Sequence, residues 1–349
     1  GPERKSGKIF FRRVLEMFYR SLADLTASEG CDSVGPMKTV FLFPGQGAQY
    51  PGMGKDLWES GDAVKNLFRA ASDAARMDLK KLLFEGTEEE LRATDKAQAA
   101  ITLVNLAAAA ALKDRGIEPS GAAGFSLGEY AALAAAEILP AEAVFALVRF
   151  RGDVMEKASR RLDGPDGGAG MAAVLGLDFP AVEAAILASG AGDLFAANYN
   201  SPVQTVVSGT AAALTKAEEI FTGAGAKRII RLKVSGPFHS PLLAEARAAF
   251  EAELGKYPFS DPKIPVYSNV TGAPIPSGVE AKRLCGLQIT SPVLWVDVEH
   301  AVKASGCGRV LEAGPGTVLA GLWKAVYPGE PCLPAGKISE IAEIGRAHV

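Results

Sequence analysis

The stretch that most constrains this chain runs from Gly121 to Tyr130 and reads Gly-Ala-Ala-Gly-Phe-Ser-Leu-Gly-Glu-Tyr. Small and apolar residues lead into Gly124-Phe-Ser-Leu-Gly128, and an alanine-rich run, Ala131 to Ala136, follows. The pattern is that of a buried strand, a sharp turn and a helix with a serine at the apex. Glycines two places either side of Ser126 fit a strand-to-helix elbow too tight for side chains, which strains the serine backbone and exposes its hydroxyl. The Leu127 amide then lies at a helix N-terminus, where unpaired N–H groups and the helix dipole can receive a developing oxyanion. An isolated G-x-S-x-G equally suits a glycine-flanked helix cap, so the remainder of the chain must decide.

With 349 residues, 48% hydrophobic and 22% charged, the chain has the size and balance of a globular protein with one large domain and a smaller one. A net charge of −3 lacks the basic footprint of nucleic-acid binding. Cys31, Cys285, Cys307 and Cys332 show no C-x-x-C spacing; they read as free thiols in a reducing, cytoplasmic setting and not as metal ligands. The longest mainly apolar run, Ala99 to Leu112, is broken by Thr102 and Asn105 and falls short of the about 18 residues a membrane span needs. It predicts a core helix.

The two ends look foreign to the rest. Residues 1–36 are charged and polar, and a clean strand begins after Met37, so 1–36 reads as a non-native or disordered extension. Residues 339–349 read as a tail that is non-native in part, and Glu343 to Val349 are left out of the fold prediction.

Between these ends, strands at 38–43, 264–268 and 309–312 alternate with helices near 61–76, 79–85, 94–115, 140–159, 241–255, 279–286, 294–304 and 317–326. The segment Asp163-Gly-Pro-Asp-Gly-Gly-Ala-Gly170 marks a flexible boundary. Beyond it the order is strand, helix, strand, strand, helix, strand over 171–233, which predicts a self-contained ferredoxin-like unit. The fold class is therefore α/β. A large α/β-hydrolase-like domain with a mostly parallel sheet, 37–165 and 235–338, carries an inserted ferredoxin-like subdomain, 166–234. Gly168-x-Gly170-x-x-Ala173 resembles a dinucleotide fingerprint but precedes a strand and does not follow one, which argues against a nucleotide site. Catalytic groups on such a sheet belong in the loops after strands.

A serine hydroxyl needs a base, and histidine suits that work near neutrality. Of the three histidines, His348 is in the tail and His300 near the end of a predicted helix. His239 follows a strand in Ser235-Gly-Pro-Phe-His-Ser-Pro241, where Pro237 and Pro241 fix the backbone around it. Elimination selects His239. Asp163, Asp166, Asp178 and Asp193 lie between serine and histidine, where a triad acid would stand, but each falls in or near the insertion. A backbone carbonyl holding the second ring nitrogen is the alternative, which would make a dyad. Arg151, one helix beyond the serine and followed by Gly152, offers a guanidinium to pair with a carboxylate, and Met155 lies four residues on, on the same helix face. An acyl group bearing a free carboxylate fits.

Taken together, Phe43-Pro-Gly-Gln-Gly-Ala-Gln49, Gly124-Phe-Ser-Leu-Gly-Glu-Tyr130, Arg151-Gly-x-x-Met155, Asn198-Tyr-Asn-Ser-Pro202 with Gln204, Ser235-Gly-Pro-Phe-His239, Gln288 with Pro292-Val-x-Trp295, and Glu312-Ala-Gly-Pro-Gly316 run in one order from about 38 to 326. In this the chain resembles the malonyl-CoA:acyl carrier protein transacylases of type II fatty-acid synthesis. The resemblance implies Ser126 as the acylated nucleophile, His239 as its base, and the Gln46 and Leu127 amides as the oxyanion hole. It further implies Arg151 on the malonyl carboxylate, the Gln288 carbonyl orienting His239, and Gln98, Met155 and Asn200 lining the acyl pocket. Phe238 resembles the malonyl-selecting form of the histidine loop. Phe125 departs from the family, which often has histidine before the nucleophile. The implied partners are malonyl-CoA and acyl carrier protein, with no bound cofactor, no metal, no nucleic acid and no membrane. The alternatives are a polyketide-pathway acyltransferase and a serine thioesterase or hydrolase. Because the carrier is acidic in such systems, Lys227, Arg228, Arg231 and Lys233 are candidates for a basic rim.

Overall fold

Five strands form a parallel sheet: β1 (Thr39–Phe43), β2 (Gly121–Gly124), β7 (Val266–Tyr267), β8 (Arg309–Glu312) and β9 (Cys332–Pro334), in the order β7-β2-β1-β8-β9. The computed structural model describes residues 37–164 and 167–346. β1 is buried along its whole length and pairs with β2 from Val40↔Gly121 to Phe43↔Gly124. An apolar run of this kind, with no alternation, is what a strand covered on both faces requires. The helix Thr94–Lys113 packs among the other helices, against Ala141–Arg160 and Gly128–Ala135, and is buried almost throughout. Its polar residues Thr94, Gln98, Thr102 and Asn105 fall three and four apart on one face, and Asn105 Nδ2 donates to the Pro44 carbonyl after β1 at 2.9 Å.

A second, antiparallel sheet comprises β3 (Gly170–Leu175), β4 (Leu194–Ser201), β5 (Gln204–Gly209) and β6 (Arg228–Arg231), in the order β4-β5-β3-β6. The helices Phe179–Ser189 and Ala211–Gly223 connect its strands and share its separate apolar core around Val174, Val207, Leu214 and Phe221. This small layer is not self-contained. Tyr199 N donates to Val293 O at 2.8 Å and Val293 N to Ala197 O at 2.9 Å, so β4 is tied by backbone hydrogen bonds to the segment that follows Gln288. The described residues from Lys38 onward accordingly group into one compact unit.

Several short elements depart from the sequence-based expectation. The strand expected at 264–268 is only two residues long, because Ser268 and Asn269 already turn out of the sheet. Helices at Lys55–Glu59 and Glu88–Arg92 and the strand β9 were not anticipated. The exclusion of Glu343 onward from the fold is corrected: Ile338–Arg346 is a helix, and its Ile341 and Ile344 are buried in the main core. Amphipathic spacing drives it, and Ile338 N is capped by Asp56 Oδ2 at 2.7 Å. The expectations for residues 1–36, Cys31, Asp166 and His348 lie outside the described residues. Cys285, Cys307 and Cys332 are free thiols. Among the described residues, no helix is long and apolar enough to cross a membrane.

Candidate active site

The elbow forms because two glycines allow the backbone to touch itself. A Cβ on Gly124 would lie 1.9 Å from the Gly128 carbonyl carbon, and one on Gly128 would lie 1.9 Å from Phe43 O. Neither position admits a side chain. Ser126 sits at the apex with φ of 48°, in the left-handed region that only an over-determined site sustains. Its amide donates to Asn269 Oδ1 at 2.6 Å, and its carbonyl accepts from Gln288 Nε2 at 3.1 Å. The helix Gly128–Ala135 then leads away, with Leu127 at its N-terminus. The preceding Phe125 packs edge-on against Trp295 with ring centroids 5.3 Å apart.

His239 comes to the serine from the loop after β6. It too has a positive φ, 58°. Its loop is pinned by Ser240 Oγ donating to Pro237 O at 2.6 Å and by Ser208 Oγ, from β5, donating to Phe238 O at 2.5 Å. His239 Nε2 is 2.7 Å from Ser126 Oγ, and Nδ1 is 2.9 Å from the Gln288 carbonyl oxygen. A carbonyl can only accept, so Nδ1 carries the proton and Nε2 is free to receive the serine's. Burial first, and the nearby Arg151 charge second, lower the imidazole pKa to about 4, so the ring is neutral at pH 7. The aspartate alternative finds no support among the described residues. Asp178 instead caps the helix Phe179–Ser189 through Ala181 N.

Arg151 projects from the inner face of the helix Ala141–Arg160 and is only 1% exposed. Nη1 donates to Gln98 Oε1 at 2.9 Å and Nη2 to Gln288 Oε1 at 3.1 Å, and the guanidinium lies over the Tyr130 ring. Of its five N–H groups two are thus committed, and Nε has no partner. Gly152 is needed for this approach, since a Cβ there would meet Thr94 O at 2.8 Å. Gln98 also donates to Met155 Sδ at 3.7 Å. It thereby supports both Arg151 and Met155, two residues of the cavity lining.

A cavity of about 240 Å³ opens over Ser126, His239 and Arg151. Gln46, Met155, Asn200 and Phe238 line it with Phe125, and Val318 and Leu322 are part of its wall. The Asn200 Oδ1 atom there is buried without a partner. Gly45 brings the Gln46 loop against the elbow, where a Cβ would meet Phe125 O at 2.4 Å. Gln46 Nε2 donates to Thr94 Oγ1 at 3.2 Å, Thr94 Oγ1 is 2.8 Å from Ser235 Oγ, and Ser235 Oγ donates to Glu156 Oε2 at 2.7 Å. Among the described residues the Gln46 and Leu127 amides have no hydrogen-bond acceptor within the protein. The arrangement can therefore deprotonate a serine, offer two amides to an oxyanion and hold an anion on a guanidinium. No group of three or more His, Cys, Asp or Glu is placed to hold a metal among the described residues.

Two residues at the centre escaped the sequence reading. Asn269 donates from Nδ2 to Gly124 O at 2.8 Å, and its own amide donates to Glu129 Oε2 at 2.7 Å. Glu129 is 1% exposed, and burial raises its carboxyl pKa to about 7. The available signal was positional: Asn269 closes the loop directly after a parallel strand, where ligand-facing groups gather. Lys227, Arg228, Arg231 and Lys233 are exposed, while the alternating Leu232 and Val234 face the cavity.

Comparison with known proteins places these motifs among related chains. Residues 40–329 match the acyl transferase domain family. A malonyl CoA-acyl carrier protein transacylase of Bacillus subtilis (strain 168) is 40% identical over 291 residues, 83% of this chain and 90% of that protein. The crystal structure of MCAT from Streptococcus pneumoniae superposes with a TM-score of 0.83 at 35% identity, covering 89% of this chain and 100% of that one. A malonyl-transacylase solved in complex with its holo type II PKS acyl-carrier protein superposes with a TM-score of 0.83 at 32% identity, covering 89% of this chain and 99% of that one.

Proposed function

The chain belongs to the acyl transferase domain family, and from that membership we propose the route by which it works. It transfers the malonyl group of malonyl-CoA to acyl carrier protein, as its relatives are named for doing, in the supply of fatty-acid synthesis. The observation that carries the reading is the line from Ser126 Oγ through His239 to the Gln288 carbonyl, with Arg151 on the wall of the same cavity.

Transfer runs in two half-reactions through a malonyl-serine ester. Ser126 Oγ attacks the thioester carbonyl while His239 Nε2 takes its proton, and the Gln46 and Leu127 amides receive the negative charge on the carbonyl oxygen. The C–S bond breaks, and His239 returns the proton to the CoA sulfur. The phosphopantetheine thiol of the carrier then gives its proton to His239 and attacks the ester, and Ser126 leaves as its hydroxyl. Arg151 pairs with the malonyl carboxylate through its uncommitted N–H groups, which orders the acyl group and separates malonyl from acetyl. Met155, Asn200 and Phe238 shape the pocket around it. No step calls for a bound cofactor, and the cytoplasm is the compartment where both carriers would be met.

The architecture serves this chemistry as an α/β-hydrolase-like body, to which the helix Ile338–Arg346 also belongs, with a ferredoxin-like layer that lines one side of the cavity through Met171, Asn200 and Val206. The exposed cations Lys227, Arg228, Arg231 and Lys233, in the segment whose Leu232 and Val234 line the cavity, suit an acidic carrier. The similarity to a transacylase solved with a type II PKS carrier favours polyketide supply as a second reading; comparing fatty-acid and polyketide carriers as acceptors separates the two. The primary test is intact mass after mixing with malonyl-CoA. Wild type gains one malonyl group and S126A none. A malonyl adduct that persists on S126A overturns the assignment.

A further inference from the structure

The route above leaves one fully bonded side chain beside the nucleophile without a task. Asn269 is fully buried, and all four of its polar groups are engaged. Oδ1 accepts from Ser126 N at 2.6 Å, Nδ2 donates to Gly124 O at 2.8 Å, its amide donates to Glu129 Oε2 at 2.7 Å, and its carbonyl accepts from Leu294 N at 2.8 Å. Gly124, Ser126 and Glu129 all belong to the bend, so one side chain and its own amide grip that bend at three points.

We infer that Asn269 is a positioning residue for acyl transfer: by occupying the Ser126 amide it fixes the strained apex and leaves Leu127 as the elbow amide open to the reacting oxygen. The inference rests on the malonyl-serine reading. Its geometry admits one orientation of the amide. A flipped Asn269 would set its NH2 against the Ser126 N–H and its oxygen against Gly124 O, two like-on-like contacts in a buried place. Ser126 is gripped on the other side by Gln288 Nε2 at its carbonyl. A residue at φ of 48° held at both N and O cannot relax toward the ordinary backbone regions, and its Oγ stays on the 2.7 Å line to His239. With Asn269 removed, the Ser126 amide would become a free donor beside Leu127 and the apex would lose its anchor to β7.

The test uses two variants of the whole protein, N269A and N269D, with the rate of Ser126 malonylation at saturating malonyl-CoA followed by quenched flow and intact mass. N269A slows acylation about a hundredfold, the scale of an ångström-level misplacement, while KM for malonyl-CoA stays within about twofold because Arg151 is untouched. In N269D a protonated carboxyl reproduces both bonds: its carbonyl oxygen accepts from Ser126 N and its hydroxyl donates to Gly124 O. Ionisation removes that donor and puts a charge beside Glu129. The ratio of N269D to wild-type rate therefore falls as pH rises from about 5 to about 8.5, a range above the ordinary carboxyl value and open to a buried one. Glu129, which bonds the position-269 amide, titrates together with a carboxyl at 269, so the ratio reads that pair, while His239 and Arg151, reached through Ser126 and Gln288, are common to both proteins. A flat ratio, or N269A within about twofold of wild type, overturns the inference. Should N269A not fold, the N269D ratio decides alone. If wild type itself takes no malonyl group the transfer reading fails, whereas an acylated wild type with a flat ratio removes only the role of Asn269.

Discussion

Replacing Arg151 by alanine is the perturbation that reads the pocket's chemistry most directly. The guanidinium is 1% exposed, and two of its donors are spent on Gln98 and Gln288, so a bound carboxylate meets the remaining N–H groups away from bulk water. Breaking a buried ion pair of this kind costs about 3–5 kcal/mol, and each 1.4 kcal/mol is tenfold, which predicts a loss of roughly 10² to 10³·⁵ in kcat/KM for malonyl-CoA. Acetyl-CoA has no carboxylate to lose, so its kcat/KM in R151A stays within about an order of magnitude of wild type. A second consequence follows from His239. Arg151 helps to hold that imidazole near pKa 4, so the acid limb of the acetyl-CoA profile moves up in R151A toward the ordinary imidazole value of about 6.5. R151K keeps a charge without the planar fork and falls between the two. The assay is single-turnover acylation by each thioester, followed by intact mass, with a thermal melt to verify folding. An unchanged malonyl-to-acetyl ratio in folded R151A refutes the carboxylate assignment.

Stability against pH supplies a second prediction. Burial raises Glu129 and Glu312 to about 7 and Glu299 to about 8, so the native state keeps protons that the unfolded chain gives up near 4.5, and this stabilisation is lost as pH rises through 7 to 8. His239, lowered to about 4, acts oppositely and withdraws stability as pH falls from about 6.5 toward 4. Three carboxyls outweigh one imidazole: melting temperature should fall between about pH 5 and pH 8.5, and E299Q, which can still accept from Trp295 Nε1, should flatten that fall. For the elbow, G124A should abolish both folding yield and acylation, since its Cβ would sit 1.9 Å from Gly128, while G121A, whose nearest contact is 3.4 Å, should be acylated at close to the wild-type rate. For the C-terminal helix, I341A removes a fully buried side chain and should cost about 2–4 kcal/mol in urea unfolding with the acylation rate unchanged.

The elbow was legible because its requirement is local. Gly124 and Gly128 are glycines for the reason the backbone spacing gives, and no other residue type fits. His239 was legible because histidines are few and Arg151 because its helix face is periodic. Asn269 was not, since the polar turn Ser268 to Gly272 that holds it has ordinary loop composition, and its partner Ser126 lies 143 residues away. The Gln98 assignment was half legible: the residue is buried beside the site, but its partners there, the Arg151 guanidinium and the Met155 sulfur, come from a helix more than 50 residues away in the chain. The helix Ile338–Arg346 was missed although Ile338, Ile341 and Ile344 repeat every three residues. An unusual local composition outweighed a periodicity that tertiary burial later rewarded.

The carbonyl behind His239 and the cation in front of it answer one requirement. In a serine hydrolase the third group is a carboxylate that stabilises the imidazolium formed in the transition state. On the proposed route an anionic cargo enters the same cavity, and a full negative charge at the Gln288 carbonyl would compete for Arg151 and oppose the cargo's own carboxylate. The carbonyl fixes the tautomer with no such charge, and Glu129, a buried acid within reach of the Arg151 field, sits near pKa 7, where it can take a proton when a second anion arrives. The cost is a weak base: an imidazole near pKa 4 assists water poorly. A thiol, with an ordinary pKa of about 8.5 and high intrinsic nucleophilicity, needs far less help. On the proposed route, the feature that admits malonyl therefore also lets its serine ester outlast water and yield to the carrier's sulfur.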